Sequence, residues 1–295
     1  MKPLCIFHGH CDDGVAAAWV VWHVLGADNV DFCAAQYQTE PPDVSGRNVL
    51  IVDFSYPRAV LERMAETAHS ILIIDHHKTA AEDLAGIAEP PSWPAWQAAA
   101  WCGDLSARVR VAALFDMRRS GAGLTWDYLR GGAPRLPFIN YIEDRDLWRK
   151  SLPDIDLFTL ALRSYPQDFA VWDDLVAGGP MPLIAEGRSI HRYYRLRVED
   201  FKRAAYESTL GGRPLWIANA PYAFASEVAG ELAERGHDFG ACYFEIARGR
   251  WYYSLRSRNG FDVSVIAKQF GGGGHENAAG FTADAPVHGA TAGAS

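Results

Sequence analysis

The chain has 295 residues, 49% of them apolar and 22% charged, a composition of ordinary globular proteins and a length for one large domain or two ordinary ones. No uncharged apolar run reaches the roughly 18 residues of a membrane span, and residues 1–7 run into polar sequence too soon for a signal peptide, so a cytoplasmic protein with no membrane partner is expected. The formal net charge of −8 argues against a general duplex-coating protein but not against an enzyme of small phosphate esters, whose bound cations invert the local charge.

In chain order, Leu4 to His8 reads as a short buried strand and Val15 to Leu25 as a buried helix entered through a glycine-containing turn. Asn48 to Phe54 is a second strand, and Pro57 suits the first position of a helix running to about Ala68. Ile71 to Ile74 is a third strand, ending at Asp75. This alternation predicts a parallel sheet covered by helices. Pro90 to Trp101, with three prolines and three tryptophans, reads as a loop. Ser120 to Trp126 looks like a helix start, Leu136 to Asp144 like a helix. Ile184 to Leu210 is a long charged helical pattern of the kind that spans two domains. Beyond Gly211-Gly212 come strands at Pro214 to Ala218, Gly240 to Ala247 and Arg250 to Arg256, then a helix from Asp262 to Phe270. The expected division is 1–185, a helical linker over 186–210, a smaller α/β domain over 211–285, and a disordered tail over 286–295.

Three polar clusters fall at the carboxyl ends of predicted strands: His8 to Asp13, Asp53, and Asp75-His76-His77. Open α/β sheets place their sites outside those ends. Imidazole beside carboxylate suits a divalent transition metal. Asp53 directly follows Val-Leu-Ile-Val, and a carboxylate there is costly to bury unless it is paired or binds a cation. It is the candidate to bridge two ions about 3.5–4 Å apart, as in two-metal phosphoryl-transfer sites. In His8-Gly9-His10-Cys11-Asp12-Asp13-Gly14, two carboxylates favour metal over a phosphate-only loop, and His8 is preferred as ligand because it ends the strand. Asp144 and Asp146 frame Arg145, and spacing alone selects neither. The run Gly271-Gly272-Gly273-Gly274-His275 would let backbone N–H groups approach a phosphate, and Arg256 could grip one bidentately. The five cysteines are scattered, with no CxxC pair, so reduced thiols are expected.

Taken in order, these motifs resemble the DHH phosphoesterases with a DHH-associated C-terminal domain. His8 to Gly14 is similar to the first motif, Asp53 to the second, Asp75-His76-His77 to the third and Asp144 to the fourth. Gly272-Gly273-Gly274-His275 resembles the signature of the C-terminal domain. The resemblance implies an α/β fold: a parallel-sheet DHH domain, a helical linker and a smaller α/β domain, with the site in the cleft between the two domains. It implies two divalent ions, Mn(2+) foremost and magnesium a further candidate, while a Cys11 thiolate in the first motif would bias its site toward cobalt, iron or zinc. On it, His8, Asp53 and a first-motif acid hold one ion, and Asp13, Asp53, His76 and Asp144 the other. His77 faces the scissile phosphate, Asp75 orients a histidine, and Arg256, Gly272, Gly273, Gly274 and His275 bind substrate. His77, Asp53 and Asp75 are the expected catalytic group.

The first motif departs from its relatives. Counting back from Gly14, Asp13 fills the place of the second acid but Cys11 that of the first, with Asp12 one position off. Either Asp12 substitutes through a shifted turn, or Cys11 is a softer ligand, or the first site is weaker. The expected activity is hydrolysis of short RNA or DNA oligonucleotides to nucleoside monophosphates, as by a nanoRNase or single-strand exonuclease. The alternatives are a small-molecule phosphatase acting on adenosine 3′,5′-bisphosphate or polyphosphate, and a non-catalytic nucleotide-binding regulator. Small nucleotides are thus the other partner class, and self-association as a homodimer stays open.

Overall fold

Three apolar runs form the middle of a five-stranded parallel sheet in a computed structural model, which describes residues 1–37, 39–101, 111–258 and 260–289. The elements up to the long helix are β1 (Leu4–His8), α1 (Asp12–Leu25), β2 (Asp31–Ala35), β3 (Asn48–Val52), α2 (Arg58–Thr67), β4 (Ser70–Asp75), α3 (Lys78–Asp83), α4 (Trp93–Trp101), β5 (Val111–Phe115), α5 (Gly121–Arg130), α6 (Pro137–Asp146), α7 (Ile155–Leu162), α8 (Phe169–Gly178) and α9 (Pro180–Arg203). The chain divides into two compact units inside α9, between His191 and Arg192.

The first unit's sheet has the order β2-β1-β3-β4-β5, and every pairing is parallel. β4 shows why the central strands read as continuous apolar runs. Leu72 and Ile74 enter one core, with Trp19 of α1 and Leu124 of α5, while Ile71 and Ile73 enter another, with Leu61 and Met64 of α2. A parallel strand covered on both faces has no polar side to alternate with. Each such Ile or Leu contributes about 1.5–3 kcal/mol by leaving water. The chain goes from β1 outward to β2 and then returns to β3 on the other side of β1, so the strand order reverses between β1 and β3. Ligands of open α/β sheets sit at such a point, beyond the carboxyl ends.

Several elements of the first unit go beyond expectation, among them β2, β5, α3, α4, α7 and α8. β2 and β5 complete the sheet. The 90–101 stretch is not all loop: α4 starts at Trp93 and buries Trp93 and Trp96 in the core shared with α1. Its prolines lie before the helix and at its second residue, where a missing N–H is harmless.

The second unit contains β6 (Tyr206–Leu210), β7 (Arg213–Asn219), α10 (Tyr222–Leu232), β8 (Gly240–Ala247), β9 (Arg250–Arg256), α11 (Ser264–Gln269), β10 (Gly273–Gly274) and β11 (Ala278–Ala283). Its six-stranded sheet runs β10-β11-β9-β8-β7-β6. Among the described residues of this sheet, only β7 and β8 pair in parallel. The long helix ends at Arg203 rather than Leu210. Tyr206–Leu210 alternates outward and inward, burying Ser208 and Leu210. Gly211 and Gly212, both at positive φ, close a two-residue hairpin whose twist suits that geometry. Residues 286–289 are not a loose end either. Gly289 bridges Thr209, and His288 Nδ1 lies 2.6 Å from the Tyr253 hydroxyl; the expected tail from 290 onward lies outside the described residues. Among the described residues no helix is long and apolar enough to cross a membrane.

Candidate metal centre

Asp53 follows β3 directly and takes a left-handed backbone, φ 52, a conformation that costs a non-glycine residue about 1–3 kcal/mol and gathers at functional sites. Its N–H donates to Ile74 O at 2.9 Å. Its carboxylate is 1% exposed and faces two ways. Oδ1 lies 3.0 Å from Nε2 of His76, and Oδ2 lies 3.6 Å from Nδ1 of His8. Among the described residues neither that Oδ2 nor that Nδ1 has a hydrogen-bond partner, although both are buried.

Around His76 stand two further carboxylates. Its Nε2 is 3.6 Å from Asp13 Oδ2 and 3.6 Å from Asp146 Oδ2. Asp13 sits in the first turn of α1 and accepts hydrogen bonds from Gly121 N (2.6 Å) and Ala122 N (3.0 Å). The free N–H groups at the start of α5 thus fix it in place. Asp146 Oδ2 is buried without a hydrogen bond. Small residues permit this crowding: a Cβ on Gly121 would come 2.4 Å from Asp53 Cβ, and one on Gly14 would come 2.2 Å from His8 O.

Asp75 ends β4 fully buried and organises the two histidines beside it. Oδ1 accepts from His76 N (2.7 Å) and pairs with His77 Nδ1 (2.7 Å). Oδ2 accepts from the Ser55 hydroxyl at 2.7 Å. The contact with Asp75 fixes the orientation of the His77 ring. Ser55 is thus a fixed hydrogen-bond partner of that carboxylate.

The charges are strongly unbalanced. Burial, then the Asp53 and Asp146 charges, push Asp13 well above the usual carboxylate range. Burial and Asp53 push Asp146 up, against the pull of His76. Burial would also raise Asp53, but the His76 hydrogen bond and the His8 imidazole hold it well below that range. Burial would lower His76, but Asp146, Asp53 and Asp13 raise it well above its ordinary value. Burial would lower His77 too, but Asp75 raises it. Buried carboxylates with unsatisfied oxygens around one imidazole are the donor set that a divalent cation neutralises. The residues present fit such ions. Asp13, Asp53 and His76 form one group with ligand atoms within 4.8 Å of one another, and His8, Cys11 and Asp53 form a second. Asp53 belongs to both.

Two residues expected as ligands are placed elsewhere. Asp144 turns its carboxylate to the following loop and accepts from Ser151 N, Ser151 Oγ and Leu152 N. Asp146, two residues on, takes the position beside His76. A readable signal existed: Asp146 continues the Ile139, Ile142 face of α6, at helical spacing, and those two residues enter the core. Asp12 pairs with Arg163 Nε at 2.6 Å, so Cys11 is the first-motif side chain that joins His8 and Asp53. His8, Asp13, Asp53, His76 and, through Asp75, His77 are brought together as the sequence suggests.

Arg256, Gly272 to Gly274 and His275 lie in the second unit. Arg256 ends β9 and donates to Ser226 Oγ at 3.2 and 3.0 Å and to Leu255 O. His275 N donates to Ala278 O at 2.7 Å. Two of the glycines are required by packing: a Cβ at Gly272 would come 2.2 Å from Gly280 O, and one at Gly274 2.5 Å from Ala278 O.

Residues 218–289 match the DHHA1 domain family. The match lies within the second unit, so that unit carries a DHHA1-type region. An uncharacterised protein of Acanthamoeba polyphaga mimivirus is 28% identical over 299 residues, covering 93% of this chain. The chain spans 66% of that relative's length. Among solved structures, RecJ from Thermus thermophilus in complex with Mn2+ aligns at a TM-score of 0.46 and 16% identity, over 95% of this chain and 49% of that one. The pGpG-specific phosphodiesterase PggH from Vibrio cholerae aligns at a TM-score of 0.44 and 12% identity, over 95% and 92%.

Proposed function

We propose that the chain is a two-metal phosphodiesterase that cleaves short oligonucleotides to nucleoside monophosphates, as a nanoRNase or single-strand exonuclease does. The observation that carries this reading is the double use of Asp53. One oxygen faces the Asp13–His76–Asp146 side and the other faces His8, the arrangement of a bridging carboxylate between paired ions. On this reading Asp53, Asp13, His76 and Asp146 would hold one ion, with Mn(2+) expected there, and His8, Asp53 and Cys11 would hold the other. Such ions supply charge neutralisation at a phosphoryl group and a nucleophile at neutral pH.

The chain's own residues do the rest. The Asp75 carboxylate, braced by Ser55, keeps the His77 ring in one orientation. With Nδ1 engaged, Nε2 of His77 is the atom to meet a phosphate oxygen and to donate a proton there. The raised affinity of His77 for a proton suits a donor to an anionic ester. Arg256 and His275 are the second unit's candidates for substrate phosphate or base. The match of residues 218–289 to the DHHA1 domain supports a substrate of nucleotide type. The test is a substrate panel read by product chromatography, comparing dinucleotide, adenosine 3′,5′-bisphosphate and pyrophosphate under several divalent metals. Fastest release of monophosphate from dinucleotide is expected. Preference for the bisphosphate or pyrophosphate would replace the reading with a small-molecule phosphatase, and nucleotide binding without turnover would replace it with a regulator.

A further inference from the structure

The thiol of Cys11 lies with Nδ1 or Nε2 of His8 and a carboxylate oxygen of Asp53 inside a 4.8 Å cluster. The Asp53 Oδ2 that faces His8 is almost wholly buried and lacks a hydrogen bond. That unsatisfied oxygen points to a ligand independently of the cysteine. The neighbouring acid is engaged elsewhere: Asp12 is turned to Arg163. His10, at φ 58, turns the chain so that Cys11 enters α1 at its N-cap position.

Resting on the two-metal reading, we infer that the two ion positions differ in chemistry, and that His8, Cys11 and Asp53 form a thiolate site selective for zinc, cobalt(II) or iron(II). Around Asp13, Asp53, His76 and Asp146 the donors are oxygen and one imidazole, the set that suits manganese or magnesium. Around Cys11 the donors are sulfur, nitrogen and oxygen, and sulfur selects the softer ions. Ions of that kind bond sulfur at about 2.3 Å and nitrogen or oxygen at about 2.0–2.2 Å, so donors spanning 4.8 Å need only small side-chain movements to close on one. Binding forms a sulfur–metal bond and releases the thiol proton to solvent. The bound state is thus a mixed-metal centre with Asp53 shared between a hard and a soft position.

The test is cobalt(II) titration of the metal-stripped full chain, followed by absorption spectroscopy. The expected result is a thiolate-to-cobalt charge-transfer band in the near ultraviolet. It should vanish in Cys11→Ser, a nearly isosteric change, and persist in Asp12→Asn. Zinc affinity in Cys11→Ser should fall by at least the roughly 10–100-fold that even outer partners of a ligand are worth. Cys11→Asp should recover binding with manganese favoured over zinc, which a misfolded variant would not do. A cobalt spectrum without the band in the wild type, or zinc affinity equal in wild type and Cys11→Ser, overturns the inference. Hydrolysis of dinucleotide by a wild type that lacks the band would overturn this inference alone. A thiolate band in a chain that cleaves no phosphodiester would overturn the functional reading alone.

Discussion

Asp53 Oδ1 and His76 Nε2 lie 3.0 Å apart, joining the ends of two adjacent parallel strands. It is the shortest of the contacts that His76 Nε2 makes with Asp13, Asp53 and Asp146, carboxylates that repel one another in a buried setting. Divalent cations should therefore stabilise the protein. At 100 times the dissociation constant the gain is about 2.7 kcal/mol. Thermal unfolding with and without manganese measures it. The Asp53→Asn variant, whose side chain tolerates the left-handed backbone, should fold but show most of that gain removed. An equal manganese shift in both proteins would contradict the shared-ligand role.

Asp144 and Asp146 separate cleanly. Asp146→Asn should lower kcat/KM on the order of 10²-fold, a loss of about 2.7 kcal/mol in charge stabilisation, with little change in Tm. Asp144→Asn should do the reverse. It weakens the acceptor of three bonds from Ser151 and Leu152, and charge-assisted bonds are worth about 1.5–3 kcal/mol each. Paired kinetics and unfolding curves decide the matter; an activity loss confined to Asp144→Asn would restore that residue as the ligand.

Gly121→Ala places a methyl 2.4 Å from Asp53 Cβ and 2.6 Å from Oδ1. Relief requires moving Asp53 or the start of α5, which also positions Asp13. Overpacking of this kind costs about 1–3 kcal/mol, and manganese affinity should fall with stability. Calorimetric titration with manganese checks this. Unchanged affinity would show that the site tolerates displacement of α5.

A pH effect belongs to the second unit. Burial would raise Glu231, but Arg195 and Lys202 outweigh it and hold the carboxyl below its ordinary 4.5. A depressed value means stability fully present above the unfolded value and lost as pH falls through the folded one. The Tm gap between wild type and Glu231→Gln should be constant above about pH 5 and close at lower pH. A gap that widens on acidification would contradict the ion pairing.

The central strands were legible because both their faces are buried, leaving apolar runs that end in polar clusters at Asp53 and Asp75. β2 was not, because Asp31–Ala35 is a sheet edge, half exposed and weakly apolar. β5 reads Val-Ala-Ala-Leu-Phe, as compatible with a helix as with a strand. In α4 the prolines mask tryptophans that the core absorbs. Near the site, strand ends located His8, Asp53 and His76, but helix rotation decides between Asp144 and Asp146. A single backbone turn at His10 decides between Cys11 and Asp12, and spacing does not encode such a turn.

The most direct test of the central claim is phosphodiester cleavage itself. Metal-loaded wild type should convert a dinucleotide to two mononucleotide products. A chelator should stop the reaction, and folded Asp53→Asn should fall short of wild type by on the order of 10²–10³-fold. Dinucleotide left intact by the wild type under every divalent metal supplied, or cleaved equally fast by Asp53→Asn, would contradict the account.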